Sequence, residues 1–167
     1  MTTVTLDTNT VDDPQVIEAA LRAGFDLVRT TVTDRELESS GIQAALPGEN
    51  AVYEPFVLGE SRLGFAVLGS ETGADTFERL LQIISNGAFP PKGRRSNLSP
   101  GERRQLRDAM ILSTHIREGR QIFVTRDVKG FIRDGRRELL EREFRIKIMT
   151  AEEFLKLCNS GGVGDPV

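Results

Sequence analysis

Residues 99–127, SPGERRQLRDAMILSTHIREGRQIFVTRD, contain the clearest structural signals in the sequence. Ser99 is a favoured N-cap and Pro100 suits the first helical position, so a helix is predicted to start there. Apolar and small residues recur through it at three- and four-residue spacing, which is typical of a helix with one buried face. After a turn at Gly119, the apolar run Ile122–Thr125 predicts a strand. A helix followed by a strand is the repeating unit of an α/β domain.

Two aspartates stand out in this unit. Asp108 lies in the helix at the edge of its buried face, and Asp127 follows the strand. Burying a carboxylate is costly unless a partner neutralises it. Arg104, four residues before Asp108, would be such a partner, and a functional role is the other interpretation. The choice between them depends on whether further acids come to the same place.

Length and composition are those of one globular domain. The chain has 167 residues, of which 38% are hydrophobic and 28% charged, enough for a single core. We expect residues 1–158 to form the domain and the Gly-rich residues 159–167 to form a flexible tail. No apolar run could cross a bilayer, and the N-terminus lacks the features of a signal peptide. The single cysteine, Cys158, precludes an intrachain disulfide, so we expect a cytoplasmic protein with no membrane partner.

Strands and helices alternate along most of the chain. Strands are predicted at 3–6, 25–31, 122–125 and 146–148, and helices at 15–23, from a capping box at Thr33–Glu36, at 75–84, from Pro100, at 136–144 and at 150–157. Residues 129–134 are predicted to form a loop. Two β-prone runs, 52–58 and 62–68, predict an inserted β-hairpin. The alternation favours an α/β fold with a mainly parallel central sheet flanked by helices.

Four acids are predicted to meet at one edge of this sheet. Asp7 and Asp127 follow strands, Glu36 lies in the first turn of the helix after the second strand, and Asp108 lies near the start of its helix. Open parallel sheets bind ligands beyond the carboxyl ends of their strands. Clustered carboxylates repel one another, and a divalent cation relieves that repulsion. Oxygen ligands favour Mg²⁺ or Mn²⁺ over Zn²⁺.

Two neutral side chains accompany these acids. Asn9 lies two residues after Asp7 and can supply an oxygen or a hydrogen bond. Thr125 lies two residues before Asp127 and can hold a carboxylate or a water-bound ligand. We predict that both support the site.

The basic segment, residues 92–107, stands out from an acidic chain. The whole chain has a net charge of −3, whereas this segment has a net charge of +5 and the remainder −8. Such a segment can attract a polyanion to one place, without reading its sequence. A solvated loop and helix face is the alternative interpretation. The candidate polyanion-binding residues are Lys92, Arg94, Arg95, Arg103, Arg104 and Arg107.

In their order and spacing, these motifs resemble the PIN-domain family of metal-dependent nucleases. The resemblance covers Thr3 to about Leu157, and it rests on the motifs Asp7-Thr8-Asn9, Glu36 before Leu37, Arg107-Asp108-Ala109-Met110-Ile111, Thr125-Arg126-Asp127 and the closing Met149-Thr150-Ala151-Glu152-Glu153-Phe154. The family implies a Rossmann-like sheet and, commonly, endonuclease activity on single-stranded RNA. It includes the toxins of toxin–antitoxin pairs as well as RNA-processing nucleases, so an antitoxin or another protein is an expected partner.

We therefore expect an Mg²⁺- or Mn²⁺-dependent endoribonuclease with Asp7, Glu36, Asp108 and Asp127 as catalytic residues. Asp7, Asp108 and Asp127 would hold the metal, which lowers the pKa of a bound water and stabilises charge on the phosphate. A catalytically silent RNA-binding or scaffold module with the same fold is the alternative. A phosphotransfer enzyme is disfavoured, because the second aspartate of haloacid-dehalogenase-like phosphatases and a P-loop are both missing. Pairing of the hairpin edge with a second copy would give a homodimer.

Overall fold

The computed structural model describes residues 2–41, 51–52, 54–55, 66–67 and 71–161, and strands alternate with helices along these ranges. The strands are β1 (Thr3–Leu6), β2 (Asp26–Thr30), β3 (Ala51–Val52), β4 (Glu54–Pro55), β5 (Ala66–Val67), β6 (Ile122–Thr125) and β7 (Lys147–Thr150). The α-helices are α1 (Pro14–Arg22), α2 (Thr31–Ser40), α3 (Glu71–Ile84), α4 (Pro100–Arg117), α5 (Arg136–Phe144) and α6 (Ala151–Asn159). A π-helical turn at Val128–Ile132 and a 3₁₀ turn at Arg133–Gly135 precede α5.

The main sheet has the strand order β3-β2-β1-β6-β7, and every pair of neighbours in it runs parallel. The chain builds outward from β1 to β2 and β3, and then continues on the other side of β1 with β6 and β7. The strand order therefore reverses between β1 and β6, and such a switch point opens a crevice at the carboxyl ends of the two strands. The predicted α/β fold with a mainly parallel sheet is confirmed, and this order is compatible with a Rossmann-like fold.

Helices cover both faces of the sheet, because strand residues alternate between two apolar layers. Val4 and Leu6 of β1 and Val124 of β6 face the layer that contains α1 and α6. Phe123 of β6 and Ile148 of β7 face the layer that contains α3, α4 and α5. With both faces buried, the strands are held rigidly, and so are the side chains that follow their ends.

His115 of α4 lies in the second of these layers and is fully buried. Its Nδ1 lies 2.8 Å from the Thr5 hydroxyl, and its ring packs edge-on against Phe123. Burial lowers the pKa of His115 to about 3, with a smaller contribution from Arg120. The residue is a neutral part of the core.

Three helices begin within one residue of the predicted positions, each behind a side-chain cap. The Asp13 carboxylate accepts hydrogen bonds from the backbone N–H groups of Gln15 and Val16 at the start of α1. Ser99 starts α4 and Thr150 starts α6, each in a reciprocal capping box with a glutamate three residues later.

The capping box predicted at Thr33–Glu36 is wrong. Helix α2 begins at Thr31, and its N-cap is Thr30, whose hydroxyl accepts from the Thr33 N–H at 3.3 Å. Thr30 is also the last residue of β2, so the end of the strand decides which of several threonines becomes the cap. Glu36 is therefore free of the cap and lies one turn further into the helix than predicted.

The β-hairpin predicted at 52–58 and 62–68 is also wrong where the chain is described. β4 and β5 pair in parallel, whereas a hairpin requires antiparallel strands. Val52 belongs instead to β3, at the edge of the main sheet. A β-prone run shows that a segment is extended, but it does not encode the direction or the partner of the strand. The rest of both runs lies outside the described residues.

The remaining differences concern the ends of elements. Residues 129–134, predicted as a loop, lie in the π-helical and 3₁₀ turns. Helix α3 begins at Glu71 rather than at residue 75, and α6 continues to Asn159. The last six residues of the predicted tail, 162–167, lie outside the described residues.

None of the described helices combines the length and the apolar character that crossing a membrane requires.

Candidate active site

The four predicted acids come to the carboxyl edge of the sheet at the switch point between β1 and β6. They line one cleft of about 450 Å³, which we call the carboxylate cleft. Asp7 follows β1 and Asp127 lies two residues after β6, whereas Glu36 and Asp108 reach the cleft from α2 and α4. Four segments that are distant in the sequence therefore supply carboxylates to one surface.

Asp7 is the most deeply buried of the four, with 3% of its surface exposed. Its Oδ1 accepts from the Thr8 N–H at 2.8 Å, and its Oδ2 accepts from the Thr125 hydroxyl at 2.6 Å and from the Asn9 side-chain amide at 2.9 Å. These donors fix the orientation of the carboxylate. Burial nevertheless raises the pKa of Asp7 from 3.8 to about 6, because the hydrogen bonds from Thr125 and Thr8 do not offset the loss of water. The negative charges of Glu36 and Asp127 raise this pKa further.

Thr125 and Asn9 connect the ends of β1 and β6. The Thr125 hydroxyl donates to Asp7 and accepts from the Asp127 N–H at 2.9 Å, so one side chain sets the positions of two acids. The Asn9 Oδ1 accepts from the Arg126 N–H at 2.8 Å, while its amide donates to Asp7. The supporting positions predicted for both residues agree with these contacts.

Asp127 begins the π-helical turn. Its Oδ1 accepts from the Gly130 N–H at 2.9 Å, and its Oδ2 lies 3.5 Å from Arg104 Nη2. A Cβ atom placed on Gly130 would lie 3.0 Å from Asp127 Oδ2 and 3.5 Å from Asp108 Oδ2. Any larger residue here would force the Asp127 carboxylate to shift by a few tenths of an ångström.

Asp108 differs from the other acids in its contacts. Burial raises the pKa of its carboxyl well above 3.8, and the charges of Asp7, Asp127 and Glu36 raise it further. The positive charge of Arg104 opposes this increase, but Arg104 forms its ion pair with Asp127, so the predicted pairing of Arg104 with Asp108 is replaced by a contact across the cleft. Among the described residues, no donor within hydrogen-bond distance holds the Asp108 carboxylate.

Glu36 is half-buried and is held from two sides. The Thr8 hydroxyl donates a short hydrogen bond to its Oε2, and Arg107 Nη1 lies 4.0 Å from its Oε1. Thr8 thereby ties the acid of α2 to the end of β1.

The oxygen atoms that line the cleft belong to carboxylate, hydroxyl and amide groups, which are the ligand types that a hard divalent cation prefers. Repulsion around Asp108 also favours positive charge at this place. However, within the described ranges no three acid, histidine or cysteine side chains form a ready-made coordination group. A cation at Asp7, Asp108 and Asp127 would therefore require their side chains to draw together.

The basic segment divides into two parts. Arg104 and Arg107 line the carboxylate cleft itself. Arg95 instead forms two 2.7 Å bonds to the Glu78 carboxylate, donates to the Pro90 carbonyl and covers the Phe89 ring, so it joins the loop to α3. Lys92, Arg94 and Arg103 are exposed. The segment thus supplies two cations at the acids and one that is used structurally.

Five residues at this edge were not predicted from the sequence, namely Thr8, Gly130, Lys129, Arg133 and Arg136. Thr8 has its role because its hydroxyl reaches Glu36, and Gly130 because its backbone meets two carboxylates. Lys129, with Arg133 and Arg136, lines a second cavity beside the same acids. A partial clue was available for Gly130, since aspartate side chains often close turns on the backbone that follows them, whereas Lys129, Arg133 and Arg136 carry no local signature.

No protein-family model matches the chain, and no curated protein matches it significantly.

Proposed function

We propose that the protein is a PIN-like endoribonuclease that hydrolyses single-stranded RNA with Mg²⁺ or Mn²⁺. The observation that carries this proposal is the convergence of Asp7, Glu36, Asp108 and Asp127 on one cleft at the switch point of a parallel sheet. Such a cluster opposes its own ionisation. Mutual repulsion among the four carboxylates does not stabilise the fold, whereas binding a divalent cation would account for the cluster.

The contacts of each acid indicate its role. Asp7 is held by three donors and is the fixed ligand. Asp108, which no described donor holds, is the acid most able to turn toward a cation. Asp127 is oriented by the Gly130 N–H, and Glu36, held by Thr8, remains beside them to accept a proton from water. The bound cation would supply a water of lowered pKa and positive charge for the phosphate.

The substrate would approach over the two arginine side chains of the cleft. Arg104 and Arg107 lie among the acids, and the first of them is 69% exposed at its side chain. Cations in contact with solvent bind a phosphate backbone without reading bases. Single-stranded RNA is favoured by the resemblance, and DNA is the substrate against which it should be compared.

The proposal is tested by Asp108→Asn. No hydrogen-bond donor among the described residues contacts the Asp108 carboxylate, so we expect the variant to fold. We expect its Mg²⁺-dependent cleavage of a single-stranded RNA to be reduced at least 100-fold. Asp26→Asn, at the opposite edge of the sheet, is the matched control and should cleave like the unchanged protein. Cleavage by Asp108→Asn at the rate of the control would contradict the proposal.

A catalytically silent RNA-binding module is the second candidate. Its support is that the described acids form no ready-made coordination group and that Glu36 is already engaged by Thr8 and Arg107. Metal-independent RNA binding without turnover at any Mg²⁺ or Mn²⁺ concentration would favour it. A toxin role, an antitoxin partner and a homodimer stay predictions.

A further inference from the structure

A second cavity, of about 380 Å³, lies beside the carboxylate cleft and shares Arg104, Asp108 and Asp127 with it. Its other charged lining residues come from the turns between β6 and α5. They are Lys129, Arg133, Asp134 and Arg136. The cavity thus holds four cations against three carboxylates, and two of those carboxylates belong to the cleft. On the side away from the cleft, three cations face one acid.

Arg136 is the most buried of these positively charged side chains. Its side chain is 16% exposed, and one terminal nitrogen donates a short hydrogen bond to the Lys129 carbonyl. The other terminal nitrogen lies 3.8 Å from Asp134, whose side chain is 69% exposed. The Arg136 Nε is buried and has no hydrogen-bond acceptor among the described residues. The contacts with Lys129 and Asp134 hold the Arg136 guanidinium at the wall of the cavity, where its charge favours an anion.

The start of α5 adds positive potential at the same place. Its N-cap is Gly135, in the left-handed region at φ 75°, so no side chain caps the helix. The first N–H groups of a helix carry partial positive charge and prefer an anion. The Arg136 N–H itself donates to the Arg133 carbonyl, so the helix contributes through its dipole, beside the Arg136 guanidinium that lines the cavity.

We propose that the second cavity binds a phosphate group of the nucleic-acid chain, beside the phosphate that lies at the carboxylate cleft. The proposal rests on the proposed function for its ligand, and it assigns Lys129, Arg133 and Arg136 as a phosphate subsite. The two cavities meet at Arg104, Asp108 and Asp127, so one strand can occupy both. The phosphate is either an internal phosphodiester or a terminal phosphomonoester, and both present the same anionic oxygens.

The test measures binding in EDTA, so that it does not depend on cleavage. The probes are a fluorescent single-stranded 12-mer RNA with a 5′-hydroxyl and the same RNA with a 5′-phosphate, followed by anisotropy. The variant is Lys129→Gln with Arg133→Gln, because both side chains are exposed and the Arg136 anchor stays intact. Arg142→Gln with Lys156→Gln removes the same charge from exposed positions of α5 and α6 and is the matched control.

We expect the cavity variant to weaken binding about tenfold relative to the control and to reduce the slope of log K against log salt by about 1. Equal weakening for both RNAs identifies an internal phosphodiester. Weakening only for the 5′-phosphorylated RNA identifies a terminal phosphomonoester. Equal affinities and slopes for the cavity variant and the control, with both RNAs, would overturn the subsite.

The two proposals fail separately. If the unchanged protein never cleaves RNA but the cavity variant loses affinity, the proposed nuclease is wrong and the phosphate subsite stands. If the protein cleaves and the cavity variant binds and cleaves like the control, the subsite is wrong and the nuclease stands.

Discussion

Replacing Asp7 by Asn should change the pH dependence of folding in a defined direction. In the folded protein burial raises the pKa of Asp7 to about 6, against 3.8 for an ordinary aspartate. The folded state therefore holds a proton that the unfolded state has already released between these two pH values. Stability from this residue is fully present below pH 3.8 and is lost as the pH rises to about 6.

The magnitude follows from the two pKa values. A change from 3.8 to about 6 corresponds to about 3 kcal/mol, at 1.36 kcal/mol for each pKa unit. Asn cannot ionise, so the stability of Asp7→Asn relative to the unchanged protein should increase by about 3 kcal/mol between pH 3.5 and pH 7.5. A difference in hydrogen bonding between Asn and a neutral Asp adds an offset, but that offset does not vary with pH.

Urea unfolding in EDTA at several pH values measures this difference. The comparison must be made between variants, because His115 titrates in the opposite sense over an overlapping range. Asp26→Asn controls for the loss of one carboxylate at the far edge of the sheet. We expect Asp7→Asn to gain stability relative to the unchanged protein as the pH rises. A difference that stays constant with pH, or one in which the variant loses stability as the pH rises, would contradict this prediction.

Three further changes test other contacts. Gly130→Ala places a Cβ 3.0 Å from Asp127 Oδ2, so we expect at least a tenfold loss of Mg²⁺-dependent cleavage with less than about 2 kcal/mol of stability lost; unchanged cleavage would show that the close approach is unimportant. Thr125→Val removes the hydroxyl that donates to Asp7 and should cost about 1–3 kcal/mol in urea unfolding, whereas Thr125→Ser should recover most of it; equal losses in both would point to packing instead. His115→Gln should abolish an acid dependence of about 5 kcal/mol, which follows from a pKa lowered from 6.5 to about 3; the stability of the unchanged protein relative to the variant should fall as the pH drops from 6.5 to 3, and a difference that stays constant with pH would contradict this.

The parts of the fold that depend on neighbouring residues were predictable. The starts of α1, α4 and α6 follow from Asp13, Ser99 and Thr150, because a cap is a contact over two or three residues. Parallel pairing followed from the alternation of strands and helices, since parallel strands need long connections. The same logic placed Asp7 and Asp127 at one edge.

The errors occurred where a local pattern allowed several outcomes. Thr30 and Thr33 could each cap α2, and the length of β2 decided between them. Arg104 lies four residues before Asp108, yet its ion pair is with Asp127 across the cleft. Helical spacing brings side chains within reach of each other but does not select among partners that the tertiary structure brings equally near.

By itself, therefore, the sequence determined the order of the elements, the parallel sheet and the edge to which the acids belong. Three features of the site depended on the folded chain. No hydrogen-bond donor among the described residues holds the Asp108 carboxylate, Thr8 holds Glu36, and Gly130 lies against two carboxylates. The tertiary structure also placed Lys129 and Arg136 in a cavity beside the acids. The physical reason is range, because caps and periodicity act over a few residues, whereas burial, charge repulsion and close backbone approach depend on segments that meet only when the chain has folded.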